Sequence, residues 1–461
     1  MGTLFQLDLK KIEFRANQIL ETRNLLDSMS SKKIPTQKGR AKVLSRSQKI
    51  RQRLRQTLKL LIRLTQLLLS CLNLFSPSQK YSKIVIFFGL SRQHTPPAVS
   101  IDELNKFMRG KNIALADPNT LIVVQSDFAI KNQYLADELI LCGNLSETIC
   151  KKLLCPKQKV RLVFKLIFCA PLIVALVLNS KFPTAYLNAI PEVLVVEILR
   201  KSKIQLVAVA SQSDWLHEPL IFFQISRDPL LRTVMLYYSE NLFMYSESQL
   251  KNQKLIPKLE NVITQEHWVW TEELADFYNS RSNLKNFIPK GPIIFRDVTD
   301  LKRHLNPHKK IVISIFDDAP TLENEWIHHS DLDSGLRFLE AIPKLFKILK
   351  QNSIDPYIQI KQKRRRINSH FDSYLETLNN LYEADYAVEL HWSFDLAKCV
   401  LESDLVICAI ATSPALLARY FGVPVAYYFG GIHTLGKPPI DYGIPIFFSP
   451  LELSKWILTK L

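Results

Sequence analysis

The chain has 461 residues, and 47% of them are hydrophobic, which excludes a globally disordered protein. Its length exceeds what one hydrophobic core usually organises, so two domains are predicted. The formal net charge is +17, but no acidic residue occurs between Asp27 and Asp102. The basic excess therefore belongs to an N-terminal region, predicted to be a helical extension over residues 1–79 with a partner of its own.

Within this extension, residues 44–75 predict one long cationic amphipathic helix. At 100° per residue, apolar side chains gather on one face: Ile50, Leu54, Leu58, Leu61, Leu68 and Leu72. Basic side chains occupy the other: Lys49, Arg51, Arg55, Lys59 and Arg63. Such a helix either lies on an anionic leaflet or docks its apolar face on the protein, and we expect membrane contact. The apolar runs at 64–75 and 166–178 are shorter than the about 20 residues of a spanning helix.

After this region, apolar strand patterns alternate with helical ones along the chain. Strands are predicted at 83–89, 121–125, 139–142, 206–210, 233–238 and 267–270, with helices at 101–109, 160–178, 191–201 and 272–281. Beyond the Gly291-Pro292 pair, strands are predicted at 310–316, 357–362, 405–409 and 425–429, with helices at 335–351, 371–382 and 414–421. The alternation predicts an α/β fold of two Rossmann-like doubly wound domains, at residues 80–290 and 291–461.

The strongest local motif follows the strand at 405–409. The strand delivers Thr412 and Ser413 to the carboxyl edge of the predicted sheet, and Pro414 occupies the first turn of the next helix. Free backbone N–H groups and the helix dipole favour an anion at such a terminus. Carboxyl edges are also where doubly wound sheets bind their ligands, so an anion-binding site is predicted here.

The segment 403–428 contains a strand, a Thr-Ser-Pro turn, a helix and then Gly-Val-Pro before the next strand. This arrangement resembles the donor-binding half of GT-B glycosyltransferases. The segments 313–320 and 357–364 are similar to a group of bacterial surface polysaccharide biosynthesis proteins. Earlier segments around 210–212, 238–241 and 269–292 are similar to that group and to the glycerophosphate polymerases of wall teichoic acid synthesis. The resemblance covers about residues 80–461 and implies a nucleotide-sugar donor and a lipid-linked or glycan acceptor.

The same resemblance implies a donor site in the C-terminal half and an active cleft between the two domains. The residues expected to bind the donor diphosphate are Lys361, Lys363, Arg364, Thr412, Ser413 and Pro414. The first three follow a strand, where cations would neutralise the charge of a leaving diphosphate. Cleft residues expected in the N-terminal half are Gly89, Ser211, Gln212, Tyr238, Ser239 and Asn241.

Inverting sugar transfer needs a base within hydrogen-bond reach of the acceptor hydroxyl. The candidates are Asp317, directly after a strand, and Asp214, Glu240 and His267 in the first domain. Asp331 and Asp333 follow no strand, and their place before a helix predicts a cap rather than a metal site. No cofactor and no metal are therefore expected, only the activated donor as substrate.

The sequence is also compatible with other classes of function. A polyol-phosphate transferase of the teichoic acid type or a non-catalytic transferase-like assembly protein would share these features. A nucleic-acid-binding protein is a remote alternative, because the basic cluster lacks interleaved aromatic residues for base stacking. The start of the chain lacks a signal-peptide pattern and the seven cysteines form no C-x-x-C pair, so we expect a cytoplasmic protein held at the inner face of the membrane.

Overall fold

The computed structural model describes many separate stretches of the chain. They are residues 46–72, 81–90, 106–107, 120–126, 135–136, 139–142, 144–179, 190–192, 194–195, 198–199, 205–211, 231–237, 262–282, 286–294, 298, 301, 310–317, 332–361, 371–392, 394–409, 412–429 and 440–461. These stretches contain an eight-stranded sheet and a six-stranded sheet.

The first sheet has the strand order β3-β4-β2-β1-β5-β6-β7-β8. Its strands are β1 (Lys83–Leu90), β2 (Thr120–Ser126), β3 (Leu135–Ala136), β4 (Leu139–Cys142), β5 (Gln205–Ser211), β6 (Leu231–Leu236), β7 (Glu266–Val269) and β8 (Phe287–Pro289). Strands β4, β2, β1, β5 and β6 run parallel to one another, whereas the short β3 is antiparallel to β4. The central strand β1 is apolar along its length, as expected for a parallel strand covered on both faces.

The helices described before β1 and between β4 and β5 include α1 (Arg46–Leu72), α2 (Leu145–Lys152) and α3 (Pro156–Asn179). Helix α2 begins at an Asn144 cap, whose side chain accepts from the backbone N–H of Glu147. Helices α1 and α3 pack against each other and bury Leu60, Leu64 and Leu162 in the same core as Ile84 and Ile86 of β1. Helix α1 is therefore part of the folded first unit.

The buried stripe of α1 differs from the apolar face expected from the sequence. The side chains in the core are Leu60, Leu64, Leu67 and Cys71. Ile50, Leu54 and Leu58 are exposed instead, at 50%, 56% and 60%. The helix thus has two apolar stripes, and a helical wheel alone could not tell which of them contacts the protein.

The second sheet is parallel throughout, with the order β11-β10-β9-β12-β13-β14. Its strands are β9 (Ile311–Phe316), β10 (Pro356–Lys361), β11 (Val388–Leu390), β12 (Leu405–Cys408), β13 (Val425–Tyr428) and β14 (Ile446–Phe447). The remaining helices are α4 (Glu272–Ser280), α5 (Leu332–Gln351), α6 (Asp372–Glu383), α7 (Leu396–Leu401), α8 (Ser413–Tyr420) and α9 (Pro450–Lys460).

Strand alternation divides the second sheet into an apolar and a partly polar face. Ile313, Ile315, Ile358 and Ile360 join the core formed with α5, α6 and α9. The residues between them, such as Ser314, point to the opposite face. Helices on both faces make this a doubly wound sheet, and the predicted α/β class with two such sheets and a helix before the first is confirmed.

The chain divides into two compact units and passes between them more than once; the last of these boundaries falls inside β7, between His267 and Trp268. Strands β1–β6 and helices α1–α3 belong to the first unit, and the whole second sheet belongs to the second. The domain limits expected from the sequence, at residues 79/80 and 290/291, stay predictions.

Candidate functional site

The strand order of the second sheet creates a switch point between β9 and β12. The chain adds β10 and β11 on one side of β9 and then continues with β12 on the other side. Doubly wound sheets bind ligands in the crevice beyond the carboxyl ends of the strands at such a point, which here are those of β9 and β12. Asp317 directly follows β9, and Thr412 and Ser413 follow β12, so three of the predicted site residues flank this crevice.

Asp317 is held by a tyrosine that the sequence did not suggest. The carboxyl group is buried, and the hydroxyl of Tyr374 donates a hydrogen bond to its Oδ2 atom. Tyr374 projects from helix α6 into the apolar core and is itself 1% exposed. A rigid ring of this kind fixes the carboxylate at the edge of the sheet.

The other side of the crevice is the amino end of helix α8. Thr412 is the cap residue, with extended backbone, and its side chain makes no capping hydrogen bond. The first N–H groups of a helix have no acceptor within the helix, and Pro414 in the first turn has no N–H to satisfy. The buried Ser413 therefore opens a helix terminus that is electrostatically suited to an anion.

Lys361 lies one strand further, at the end of β10, where it pairs with Phe316 of β9. Its ammonium group donates to the backbone carbonyl oxygen of Trp392 at 2.9 Å. Burial lowers the pKa of Lys361, whereas Cys399, Asp395 and Asp317 act in the opposite direction. The cation predicted at this edge is present, but its side chain is anchored to the loop after β11 and is only 9% exposed.

Beneath Lys361 lies a buried polar network that the sequence did not indicate. The Gln359 amide donates to Ser314 Oγ at 2.6 Å, and Ser314 and Ser403 hydroxyls are 2.5 Å apart. Ser403 also donates to the carbonyl oxygen of Cys399 at 2.6 Å. Burial raises the pKa of the Cys399 thiol to about 11, so this cysteine is a neutral member of the network. Hydrogen bonds among these polar side chains connect β9, β10 and α7 and stabilise the positions of the strand ends at the site.

The first sheet has a corresponding switch point between β1 and β5. Phe88 of β1 pairs with Ala210 of β5, and the next residues are Gly89 and Ser211. These two predicted cleft residues therefore lie side by side at the carboxyl edge. Their proximity could not be read from a separation of more than 100 residues in the sequence.

Glu192 is a further carboxylate in the first unit, absent from the sequence candidates. It lies in a helical segment at 190–192, and Gln125 near the end of β2 donates to its Oε1 atom at 3.4 Å. Burial raises the pKa of Glu192 to about 7, whereas Gln125 and Arg63 act in the opposite direction. In the sequence, Glu192 is distinguished only by its position in the first turn of a predicted helix. A carboxylate at such a position is commonly solvated, so nothing there indicates a buried group.

His267 has a different environment from that expected of a catalytic base. The ring is fully buried in β7, and its Nε2 atom lies 3.2 Å from the carbonyl oxygen of Thr264. Burial lowers the pKa of His267 to about 4, so the imidazole is neutral near pH 7. A ring enclosed in this way has no surface for a substrate, and we assign it a role in the packing of the strand.

Other predicted site residues lie outside the described residues. They are Asp214, Glu240, Lys363, Arg364, Gln212, Tyr238, Ser239 and Asn241. Their roles stay predictions. Across the stretches that the structure describes, no group of three or more His, Cys, Asp and Glu side chains could hold a metal ion.

Residues 168–457 match the family described as polysaccharide biosynthesis PFTS motif proteins. No curated protein matches the sequence.

Among solved structures, S. aureus TarM in complex with UDP is 11% identical with a TM-score of 0.33, covering 55% of this chain and 48% of TarM. The wall teichoic acid polymerase TagF is 12% identical with a TM-score of 0.43, covering 90% of this chain and 89% of TagF. The trehalose-6-phosphate synthase OtsA is 11% identical with a TM-score of 0.40, covering 82% of this chain and 91% of OtsA. This chain thus spans about half the length of TarM.

Proposed function

Because this chain belongs to the polysaccharide biosynthesis PFTS motif family, we propose that it transfers a sugar from a nucleotide-activated donor to a lipid-linked or polysaccharide acceptor. The observation that carries the proposal is the switch point of the second sheet, where Asp317 and the amino end of α8 flank one crevice. A helix terminus next to a carboxylate suits a ligand that has both phosphate and hydroxyl groups.

We propose that the second unit holds the donor. The helix terminus at Thr412, Ser413 and Pro414 would bind the diphosphate through backbone N–H groups and the helix dipole. Lys361 would add a positive charge one strand away, together with Lys363 and Arg364 that follow it in sequence. Asp317, fixed by Tyr374, would accept hydrogen bonds from sugar hydroxyls.

In the proposed reaction, an acceptor hydroxyl oxygen bonds to the anomeric carbon while the bond from that carbon to the diphosphate oxygen breaks. The electron pair of that bond leaves with the nucleoside diphosphate, whose charge is stabilised by the helix terminus and the neighbouring cations. We propose that these groups suffice without a divalent metal.

The proton of the acceptor hydroxyl must pass to a base. We propose Glu192 for this role, in place of His267. Its carboxyl group accepts a hydrogen bond from Gln125 near the carboxyl edge of the first sheet. A pKa raised to about 7 by burial suits a group that takes up a proton at neutral pH.

We further propose that the protein works at the inner face of the cytoplasmic membrane, through contact between helix α1 and anionic lipids. Arg51, Arg55 and Lys59 are exposed on this helix beside the exposed Leu54 and Leu58. A lipid-linked acceptor would be reached from that position. No helix among the described residues is long and apolar enough to cross a membrane.

The experiment that tests the donor proposal is a thermal-shift series on the full chain with nucleoside diphosphates, nucleotide sugars and nucleotide polyols. A ligand of the folded state at about 100 times its dissociation constant stabilises by about 2.7 kcal/mol. Replacing Lys361 and Lys363 by Ala should raise the dissociation constant for a diphosphate by about tenfold or more. The matched control is Lys350→Ala, which removes an exposed lysine paired with Asp355 at the end of α5.

Stabilisation by nucleotide sugars that is lost in the Lys361 and Lys363 variant and kept in the control supports the donor site. Stabilisation by nucleotide polyols alone would favour a polyol-phosphate transferase. If no nucleotide stabilises the protein, a non-catalytic assembly role becomes the better explanation.

A further inference from the structure

The outer surface of the first unit combines two helices with the same unusual pattern. Helices α1 and α3 pack against each other and both bury leucines in the core beneath the first sheet. On α1 the buried residues include Leu60 and Leu67, and on α3 they are Leu162 and Leu166. The sides of both helices that face away from this core therefore form one layer of the molecular surface.

Several outward-facing positions of α1 are apolar. Residues two positions apart on a helix lie about 160° apart around its axis. The residues two positions before and after a buried leucine therefore point away from the core. Leu58 and Ile62 flank Leu60 in this way, and Leu69 follows Leu67. These three outward side chains are 60%, 50% and 60% exposed.

Helix α3 repeats the pattern. Val160 and Phe164 flank Leu162 at the same spacing, and Phe168 follows Leu166. Phe164 and Phe168 are 57% and 77% exposed, and their rings stack on each other at 6.4 Å between centroids. Clusters of large exposed apolar side chains on a soluble protein usually mark a contact site for a protein or a membrane.

The charged side chains of the two helices themselves are all basic. Neither α1 nor α3 contains an aspartate or glutamate. Arg51 and Arg55 on α1, and Lys157 and Arg161 on α3, are exposed beside the apolar side chains. Apolar side chains beside exposed cations on the same two helices match a layer of anionic headgroups over acyl chains, and each basic residue near such a surface favours binding.

We infer that α1 and α3 together form a membrane-docking surface, in which Phe164 and Phe168 of α3 insert beside Leu58, Ile62 and Leu69 of α1 into an anionic leaflet. The inference rests on the membrane contact proposed above for α1 and extends it to a second helix. The aromatic side chains of α3, rather than the N-terminal helix alone, then set how strongly the protein binds.

Flotation of the full chain with phosphatidylcholine vesicles, with and without phosphatidylglycerol, tests this surface. Replacing Phe164 and Phe168 together by Ser should lower partitioning onto anionic vesicles by about tenfold or more, because two large apolar side chains no longer leave water. Leu58→Ser with Ile62→Ser tests α1 in the same way. The matched control is Leu451→Ser with Leu458→Ser, which removes two exposed leucines from α9 in the second unit.

Two results would overturn the inference, and they differ in their consequence for the earlier proposal. If the α1 variant loses binding while the α3 variant binds like the unchanged protein, membrane contact stands but the two-helix surface is wrong. If the unchanged protein binds neither kind of vesicle, both fail. Loss of binding in both helix variants, with the control unaffected, supports the shared surface.

A Phe168→Trp variant identifies other occupants of the same surface. The fluorescence of the introduced tryptophan should be that of an indole exposed to water. Its emission maximum should shift to shorter wavelength when anionic vesicles are added. Emission that is already blue-shifted and does not respond to vesicles would mean that another part of the chain covers the helix. A dimer that dissociates in the Phe164 and Phe168 variant would make a second copy the partner. Either result overturns the membrane assignment.

Discussion

The hydroxyl of Tyr374 donates a hydrogen bond to the Asp317 carboxylate, across 57 residues of sequence and between helix α6 and the end of strand β9. Both side chains are buried. The bond joins the apolar core of the second unit to the edge where we propose that the donor binds.

Removal of this hydroxyl should be costly although the ring remains. In Tyr374→Phe the buried carboxylate loses a donor, and we expect a loss of about 1 to 3 kcal/mol in the free energy of unfolding. Urea unfolding measures it, with Tyr357→Phe as the control because that ring is 37% exposed. A Tyr374→Phe protein as stable as the unchanged one would mean that the carboxylate is solvated.

Stability should depend on pH through His267. Its folded pKa of about 4 lies below the ordinary value of 6.5, so the unfolded chain binds the proton more readily between these pH values. The stability that neutral His267 contributes is fully present above about pH 6.5 and is lost as the pH falls toward 4, by about 3 kcal/mol at most. Urea unfolding of His267→Gln from pH 7 to 4 should lack this slope. Parallel pH profiles for the two proteins would contradict the buried neutral ring.

Glu192 should change the free energy of unfolding with pH in the opposite direction to His267. Its folded pKa of about 7 lies above the ordinary value of 4.5, so the folded protein holds the proton more tightly and loses stability as the pH rises from 4.5 to 7. In Glu192→Gln this loss, about 1 to 3 kcal/mol, should be absent. Because the two slopes oppose each other, only the variants reveal them. A Glu192→Gln profile parallel to that of the unchanged protein would remove the reason to consider Glu192 as the base.

Transfer should persist in excess chelator. If the helix terminus at Ser413 and the charge of Lys361 stabilise the leaving diphosphate, a donor found in the thermal-shift series should react at an unchanged rate with the metal removed. Lys361→Ala should lower that rate by orders of magnitude. Activity that is lost in chelator and restored by manganese or magnesium would instead make Asp317, Asp318, Asp331 and Asp333 candidate ligands.

Much of the secondary structure could be predicted from the sequence. The strands β1, β9, β10 and β12 are within one or two residues of their expected bounds, because buried parallel strands are near-continuous apolar runs. Short elements were missed, among them β11, β14 and helices α2 and α7, and so was the longer helix α9. Strands of two or three residues and a helix of six are too brief to show a period.

The candidate site could be predicted only residue by residue. The sequence determined that Asp317 and the Thr412-Ser413-Pro414 turn each follow a strand, which is a local property of an apolar run and its end. Only the tertiary structure decided that β9 and β12 are neighbours, that Tyr374 reaches Asp317, and that burial changes the proton affinity of Glu192. It also decided that α1 turns Leu60 rather than Leu58 into the core. Strand order, burial and the choice between two apolar stripes depend on contacts between residues far apart in the chain, which local periodicity does not encode.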